Sequence, residues 1–398
     1  MPEGESESGY HSFRKKRIDG TSPSPRRNLL AVLADLILDE ELRAREAQEG
    51  PPEPRPSVVW FPTWVRRLYG AIPLPRDCTL GPSSKIRAVV GDAAGLYFVR
   101  DPSARIAVEL VEQPPPARTG IPAPLLVAVD ERTAEKQRTE KHDYDKVSVD
   151  RMNLPVHDRG KLRLTWHREK WTRAKSFHDL APKWPDEWTT LTQWAADFDS
   201  ARPRWPDILC MHVVATCREA SGDYVLLSQR PVMEEDSYYP GAWAFSFEEQ
   251  CRPGKAYTDE VLRAVGEELV DPAVAAQCRA QLLGVALMQS ILNLVLLIHV
   301  SVPGTFTEFL EWHNGATDPD ETRQWAALPL SRQTLAACAA GPNLPDALRS
   351  QALAGDPDLF GDTDRWQLHP TSLMRLALAV WRAESLAALR ENPTSTLP

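Results

Sequence analysis

The run ILNLVLLIHVSV at residues 291–302 narrows the choice of fold more than any other stretch of the chain. It is too short to cross a bilayer as a helix, which needs about 20 apolar residues. Its β-branched content makes it a buried strand, and a buried strand requires a sheet around it. A chain of 398 residues exceeds one ordinary domain of about 100–150. Two domains and a tail are therefore expected, and 42% hydrophobic residues suffice to fill their cores.

Residues 1–28 are rich in Ser, Pro and charge and have little to bury, so a disordered tail is expected there. The basic groups RKKR at 14–17 and PRR at 25–27 read as part of that solvated tail. No apolar stretch of the kind a secretion signal needs lies near the start. After Asn28, a suitable N-cap, the segment 29–48 carries Leu29, Leu33, Leu36, Ile37 and Leu42 near one helical face. This amphipathic helix should dock on its own protein or, through residues 29–46, on a protein partner. The 55 acidic and 46 basic side chains give a net charge of −9, which makes a nucleic-acid coat or an anionic membrane surface a poor partner. Six cysteines are scattered without a CxxC pair, so neither a zinc site nor a disulfide framework is indicated, and a reducing cytoplasm is expected.

A proline-rich stretch at 49–57 leads to an N-terminal β-rich domain expected over 56–200. Strands are expected at KIRAVV (85–90), GLYFVR (95–100), RIAVELVE (105–112), PLLVAVD (124–130) and KLRLTW (161–166), with a surface helix or loop over 131–151. The stretch HREKWTRAKSF at 167–177 interleaves Arg168, Lys170, Arg173 and Lys175 with Trp171 and Phe177. That composition suits single-stranded nucleic acid, and alternating charge on an edge strand accounts for it equally. No phosphate-binding glycine loop and no HExxH occurs in the chain.

The segment from 206 to 390 carries more chemistry. DILCMHVVATC (207–217) and DYVLLSQR (223–230) form a hairpin around REASGD, and the second strand ends on Arg230. QLLGVALMQ, the run at 291–302 and DPDETRQWAALPL (318–330) supply further strands. Between the hairpin and these lies a helix, AYTDEVLRAVGEELVDP (256–272), with Arg263, Glu267 and Glu268 in register.

This arrangement resembles the Nudix superfamily, whose signature runs Gly, five residues, Glu, seven residues, then Arg-Glu-U-x-Glu-Glu-x-Gly-U, with U a bulky aliphatic residue. Arg263, Val265, Glu267 and Glu268 fit that pattern. Ala264 stands in place of a Glu, Lys255 in place of the earlier Glu, Glu249 in place of the opening Gly, Val270 in place of the late Gly, and Asp271 in place of the final aliphatic residue. The resemblance covers under half of the chain. It implies an α+β protein in which a mixed-sheet N-terminal domain precedes an α/β/α Nudix-like sandwich. It also implies Mg²⁺ or Mn²⁺ held by Glu267 and Glu268 with Glu248, a catalytic set of Glu267, Glu268, Arg263 and Glu249, and a substrate met by Arg230, Trp243 and Glu321.

Positions 264, 267 and 268 lie on one side of a helix, so Ala264 should border a cleft and reduces three converging carboxylates to two. Two can still hold Mg²⁺ against substrate phosphates, whereas losing a general base costs ~10²–10⁴-fold in rate. Glu248, Glu249 and Glu321 are the candidates to stand in for it. The expectation is recognition of a diphosphate-containing, nucleotide-linked metabolite with hydrolysis weak or lost. The alternatives are an active pyrophosphohydrolase of nucleoside diphosphate derivatives and a non-catalytic interaction scaffold. The bland reading of the Glu-Glu pair is a solvated face of an amphipathic helix whose core side is Leu262, Val265 and Leu269.

Overall fold

The computed structural model describes residues 93–99, 103–116, 121–139, 143–153, 160–180, 183–184, 207–230, 241–288, 293–318, 322, 324–340, 349–354, 368–369 and 371–391. The expected tail, the helix over 29–48, the strand at 85–90 and Glu321 lie outside them.

The chain is mixed α/β, and among the described residues it forms one mixed twelve-stranded sheet. The first part supplies β1 (Ala93–Phe98), β2 (Ala107–Glu112), helix α1 (Ala123–Thr139), β3 (Asp145–Asn153), β4 (Lys161–Lys170) and helix α2 (Trp171–Leu180). A hairpin of β5 (Asp207–Glu219) and β6 (Gly222–Gln229) follows, then the short strands β7 (Trp243–Ala244) and β8 (Phe247–Gln250). Helices α3 (Tyr257–Glu268) and α4 (Pro272–Ala275) precede β9 (Arg279–Met288) and β10 (Asn293–Ser301). The chain closes with α5 (Phe306–His313), β11 (Gln324–Pro329), α6 (Arg332–Ala340), β12 (Leu353–Ala354) and α7 (Ser372–Glu391).

The hub is β5, whose near-continuous apolar sequence suits a strand covered on both faces. It pairs in parallel with β10 from Ile208 to Thr216. On its other side it meets β3, β8 and β6 in succession, all antiparallel. The main path runs β1-β9-β10-β5-β3-β4-β2. Alternate side chains of β5 feed two cores. Leu209, Met211, Val213 and Ala215 pack with α3, α1 and α2, while Ile208, Cys210 and Val214 pack with α6 and α7.

The two segments expected as separate domains are not separated here. β1 pairs with β9, β3 pairs with β5, and Val129, Val147 and Leu164 share a core with Val261 and Leu296. The expected strand at 124–130 is the first half of α1, because its burial follows Leu125, Val129, Thr133 and Lys136 at helical spacing while Val127 is 56% exposed. Residues 131–151 divide between that helix and β3. The stretch 167–177 divides between the end of β4 and α2, and β4 lies between β3 and β2, so it is not an edge strand. Arg168 pairs with Glu112, Lys170 with Asp145 and Arg173 with Asp130, and Phe177 is fully buried. A free basic, aromatic strip is therefore not presented there.

The sheet curls. Gln281 of β9 donates through its side-chain amide to the carbonyl oxygen of Ala104 at 2.6 Å, three residues before β2 begins. Three residues span at most about 10 Å. Five strand spacings separate β9 from β2 along the path, roughly 24 Å if the sheet were flat.

Candidate functional site

Helix α3 forms where expected, with Asp259 and Glu260 in its first turn, where acidic residues suit the helix dipole. It ends at Glu268, and α4 starts afresh on Pro272 with Asp271 as its N-cap, accepting from the Ala273 backbone N–H at 2.7 Å. The turn before α3 contains Gly254 at φ +77°, a conformation costly for any residue with a Cβ.

Around this helix the residues named from the sequence meet in one ion-pair network. Arg263 donates through Nη2 to Glu260 at 2.9 Å, to Glu249 at 3.3 Å and to the carbonyl oxygen of Gln250 at 3.1 Å. Through Nη1 it binds Glu267, which also accepts from Arg252 at 2.9 Å. Glu260 is buried, and its second contact is the Arg252 backbone N–H at 2.8 Å. Three carboxylates, Glu249, Glu260 and Glu267, thus face two guanidiniums, with the Lys146 ammonium also acting on Glu249. Burial pushes the Lys146 pKa below its usual value. The network is close to neutral by itself. A divalent ion would have to displace guanidiniums, so these residues do not fit the Mg²⁺ or Mn²⁺ site that the resemblance implies.

Two further placements depart from expectation. Ala264 does not border a cleft: it is 1% exposed and sits in the core with Val261 and Val265. Glu268 is also buried, so Glu267 and Glu268 do not share an open face. Glu248 lies on the other side of the sheet from Glu249, as neighbouring residues of a strand must. Glu249 is opposite Met211 and reaches α3, while Glu248 is opposite His212 and reaches α7. Glu248 therefore does not join Glu267 and Glu268.

What Glu248 does join is a second buried cluster. Arg230 donates to it at 2.8 Å, and Arg375, fully buried on α7, takes its other oxygen. Arg375 also donates to the carbonyl oxygens of Val213 at 3.0 Å and Phe247 at 3.1 Å. His212 and His369 complete the group, each sharing the Thr371 hydroxyl, at 2.8 and 3.0 Å. Burial pushes His212 down to about 3, with Arg375 adding to the effect, and pushes His369 well below its usual value, so both imidazoles are neutral. Burial alone would raise the Glu248 pKa, but Arg375 foremost and Arg230 outweigh it and keep the carboxylate ionised.

The ligand atoms of His212, Glu248 and His369 lie within 4.8 Å of one another, a donor set that suits several transition metals. Both oxygens of Glu248 are already taken by guanidiniums, and Arg375 has no solvent to swing into. The cluster reads as a buried ion pair that ties α7 to the sheet. Trp243, expected to meet substrate, is buried in the core beside it, with its backbone carbonyl accepting from His369 N–H at 2.8 Å.

His212 and His369 have no local signature, being far apart in sequence, and Arg375 sits in an ordinary amphipathic helix. One signal was available. His212 interrupts the apolar run 208–215 and His299 the apolar run 294–300, and a buried polar group must find a partner. Comparison with protein-family models gave no match for this chain, and comparison with curated proteins gave none.

Proposed function

We propose that the protein recognises a diphosphate-containing, nucleotide-linked small molecule without hydrolysing it. The observation that carries this reading is the single guanidinium of Arg263 shared by Glu249, Glu260 and Glu267. Carboxylates held in this way are poor metal ligands and poor bases, since their charge is already matched. The same segment offers donors instead: Lys255 is exposed, and Arg252 is half exposed with one guanidinium nitrogen on Glu267 and its remaining N–H groups open, both in the turn where the resemblance places a diphosphate. Arginine donors match phosphate oxygens bidentately without a metal.

The test is calorimetric titration of nucleoside diphosphate derivatives with and without Mn²⁺, alongside an assay of released nucleotide. Binding that Mn²⁺ leaves unchanged, with release no faster than in a protein-free blank, is the expected result. Metal-dependent turnover would establish the hydrolase reading instead. Absence of any binding would leave the interaction scaffold, with the amphipathic segment 29–46 as its expected contact.

A further inference from the structure

A wide cleft of about 1280 Å³ opens where the first residues of β9, the last turns of α7 and the residues leading into β2 come together. Its floor is the carboxyl-terminal ends of β5 and β10, the adjacent parallel pair of the sheet. Crevices outside the carboxyl ends of parallel strands are where α/β sheets take ligands, because the connecting segments part there. Charge in this cleft is one-sided. Arg105, Arg218, Arg279, Arg382 and Arg390 line it, and among the described residues the only acidic one lining it is Asp223, which pairs with Arg218 at 3.1 Å. Among the described residues the other four arginines have no carboxylate partner, in a chain whose net charge is −9.

Arg382 is built in rather than merely present. Its Nη2 donates to the side-chain oxygen of Gln281, whose amide nitrogen is fixed on Ala104. Its Nη1 lies 3.4 Å from Nδ1 of His299, and Nε2 of His299 lies 2.9 Å from the Thr216 hydroxyl. Burial, with Arg382 adding to it, pushes His299 down to about 3, so the imidazole is neutral. The consistent tautomer donates from Nε2 to Thr216 and accepts at Nδ1 from the guanidinium. Arg382 is therefore oriented by two neutral acceptors, which fix its geometry and leave its charge uncompensated. A protein that only needed this arginine for packing would gain by giving it a carboxylate, since even a half-buried unmatched cation is costly.

We propose that this cleft is a second ligand site, for a small molecule carrying two or more phosphate groups, with Arg382 as the anchoring residue and Arg279, Arg105 and Arg390 gathering the remaining charge. Four unpaired cations exceed what a single carboxylate calls for, and guanidiniums bind phosphate oxygens in pairs. The volume admits a molecule of nucleotide size. The polyphosphate preference stands on the cleft alone. That the phosphates belong to a nucleotide rests on the function proposed above.

The experiment titrates inorganic pyrophosphate, a nucleoside diphosphate and the bare nucleoside into the full chain at two salt concentrations. It is repeated with Arg382→Gln, with the exposed Arg279→Gln, and with Arg138→Gln, at the exposed end of α1, as a remote control. Pyrophosphate should bind, more weakly at higher salt. Arg382→Gln should cost about 10–100-fold and Arg279→Gln about 10-fold, with Arg138→Gln unchanged. Thermal melts report whether Arg382→Gln remains folded, and Arg279→Gln keeps the test open if it does not. Pyrophosphate binding that is absent, or indifferent to both cleft substitutions, overturns the proposal. Pyrophosphate bound in the cleft but no tighter binding of the nucleoside diphosphate leaves the cleft standing and removes the nucleotide reading. Nucleoside diphosphate binding that responds to Arg252→Gln and not to the cleft variants does the reverse.

Discussion

Ala264 occupies the position at which a third carboxylate would complete a metal-binding helix, and its surroundings decide what restoring one would do. The side chain is 1% exposed, among Val261, Val265 and the strands beneath α3. Ala264→Glu would bury an unpaired charge and overfill the core at once. A loss of about 3–5 kcal/mol is expected, the penalty of an uncompensated buried charge. Melting with and without Mg²⁺ checks this: the variant should fall equally in both. Recovery to the parent melting temperature with Mg²⁺ would mean that position 264 opens onto a cation site after all.

At the scale of elements, β3, β4 and α2 are joined by a buried acid–base group whose charge sets a pH window. His167 on β4 lies 2.8 Å from Asp150 on β3 and 3.8 Å from Glu169 on its own strand, and Arg173 of α2 stands 3.7 Å from Glu169 and 2.7 Å from Asp130. Burial alone would lower the His167 pKa, but the hydrogen bond to Asp150 and the nearby Glu169 carboxylate outweigh it and raise it to about 9. A histidine raised in the folded state stabilises fully below its unfolded pKa of about 6.5, and that contribution drains away as pH rises to about 9. The contribution is on the order of 3 kcal/mol at most. Urea melts from pH 6 to 10 should show the parent losing stability across that window, and His167→Gln should flatten the loss. Identical pH profiles would show His167 to be neutral in the folded protein.

The same elements show what a sequence can disclose. β5 with β6, α3, β9, β10 and β11 are legible because each is an apolar run or stripe bounded by turn residues. The run at 124–130 is not, since seven apolar-rich residues satisfy a strand and a helix alike, and only the burial of Thr133 and Lys136 further on decides for the helix. The site is half legible for a related reason. Arg263, Glu267 and Glu249 stand where the Nudix resemblance implies a catalytic set, yet a sequence pattern does not tell metal ligands from partners of Arg263. Arg382, His299 and Gln281 carry no pattern because three separate elements bring them together.

For the molecule as a whole, one sheet among the described residues, with a core on one of its faces drawn from both segments, replaces the two units that composition and length suggest. Cutting at residue 206 would take β1 from β9 and β3 from β5, and expose the core side chains that met Val147, Val149 and Leu164. The fragment 206–398 should therefore lack a cooperative melt, while the full chain shows a single calorimetric transition. A fragment that melts sharply on its own, at the temperature of the parent, would show that the shared sheet adds nothing to its stability.

The pairing of β1 with β9 also has a cost in time. Tyr97 sits opposite Val285, so roughly 190 residues must be synthesised after β1 before its neighbour exists. At about 5–20 residues per second the wait on the ribosome is on the order of 10–40 s. β2, β3 and β4 emerge in the course of it but the strand preceding them still has nothing to pair with, and an unpaired strand is an invitation to the wrong partner. Within the cell, a factor that shields residues 93–98 during that interval should raise the yield of this protein.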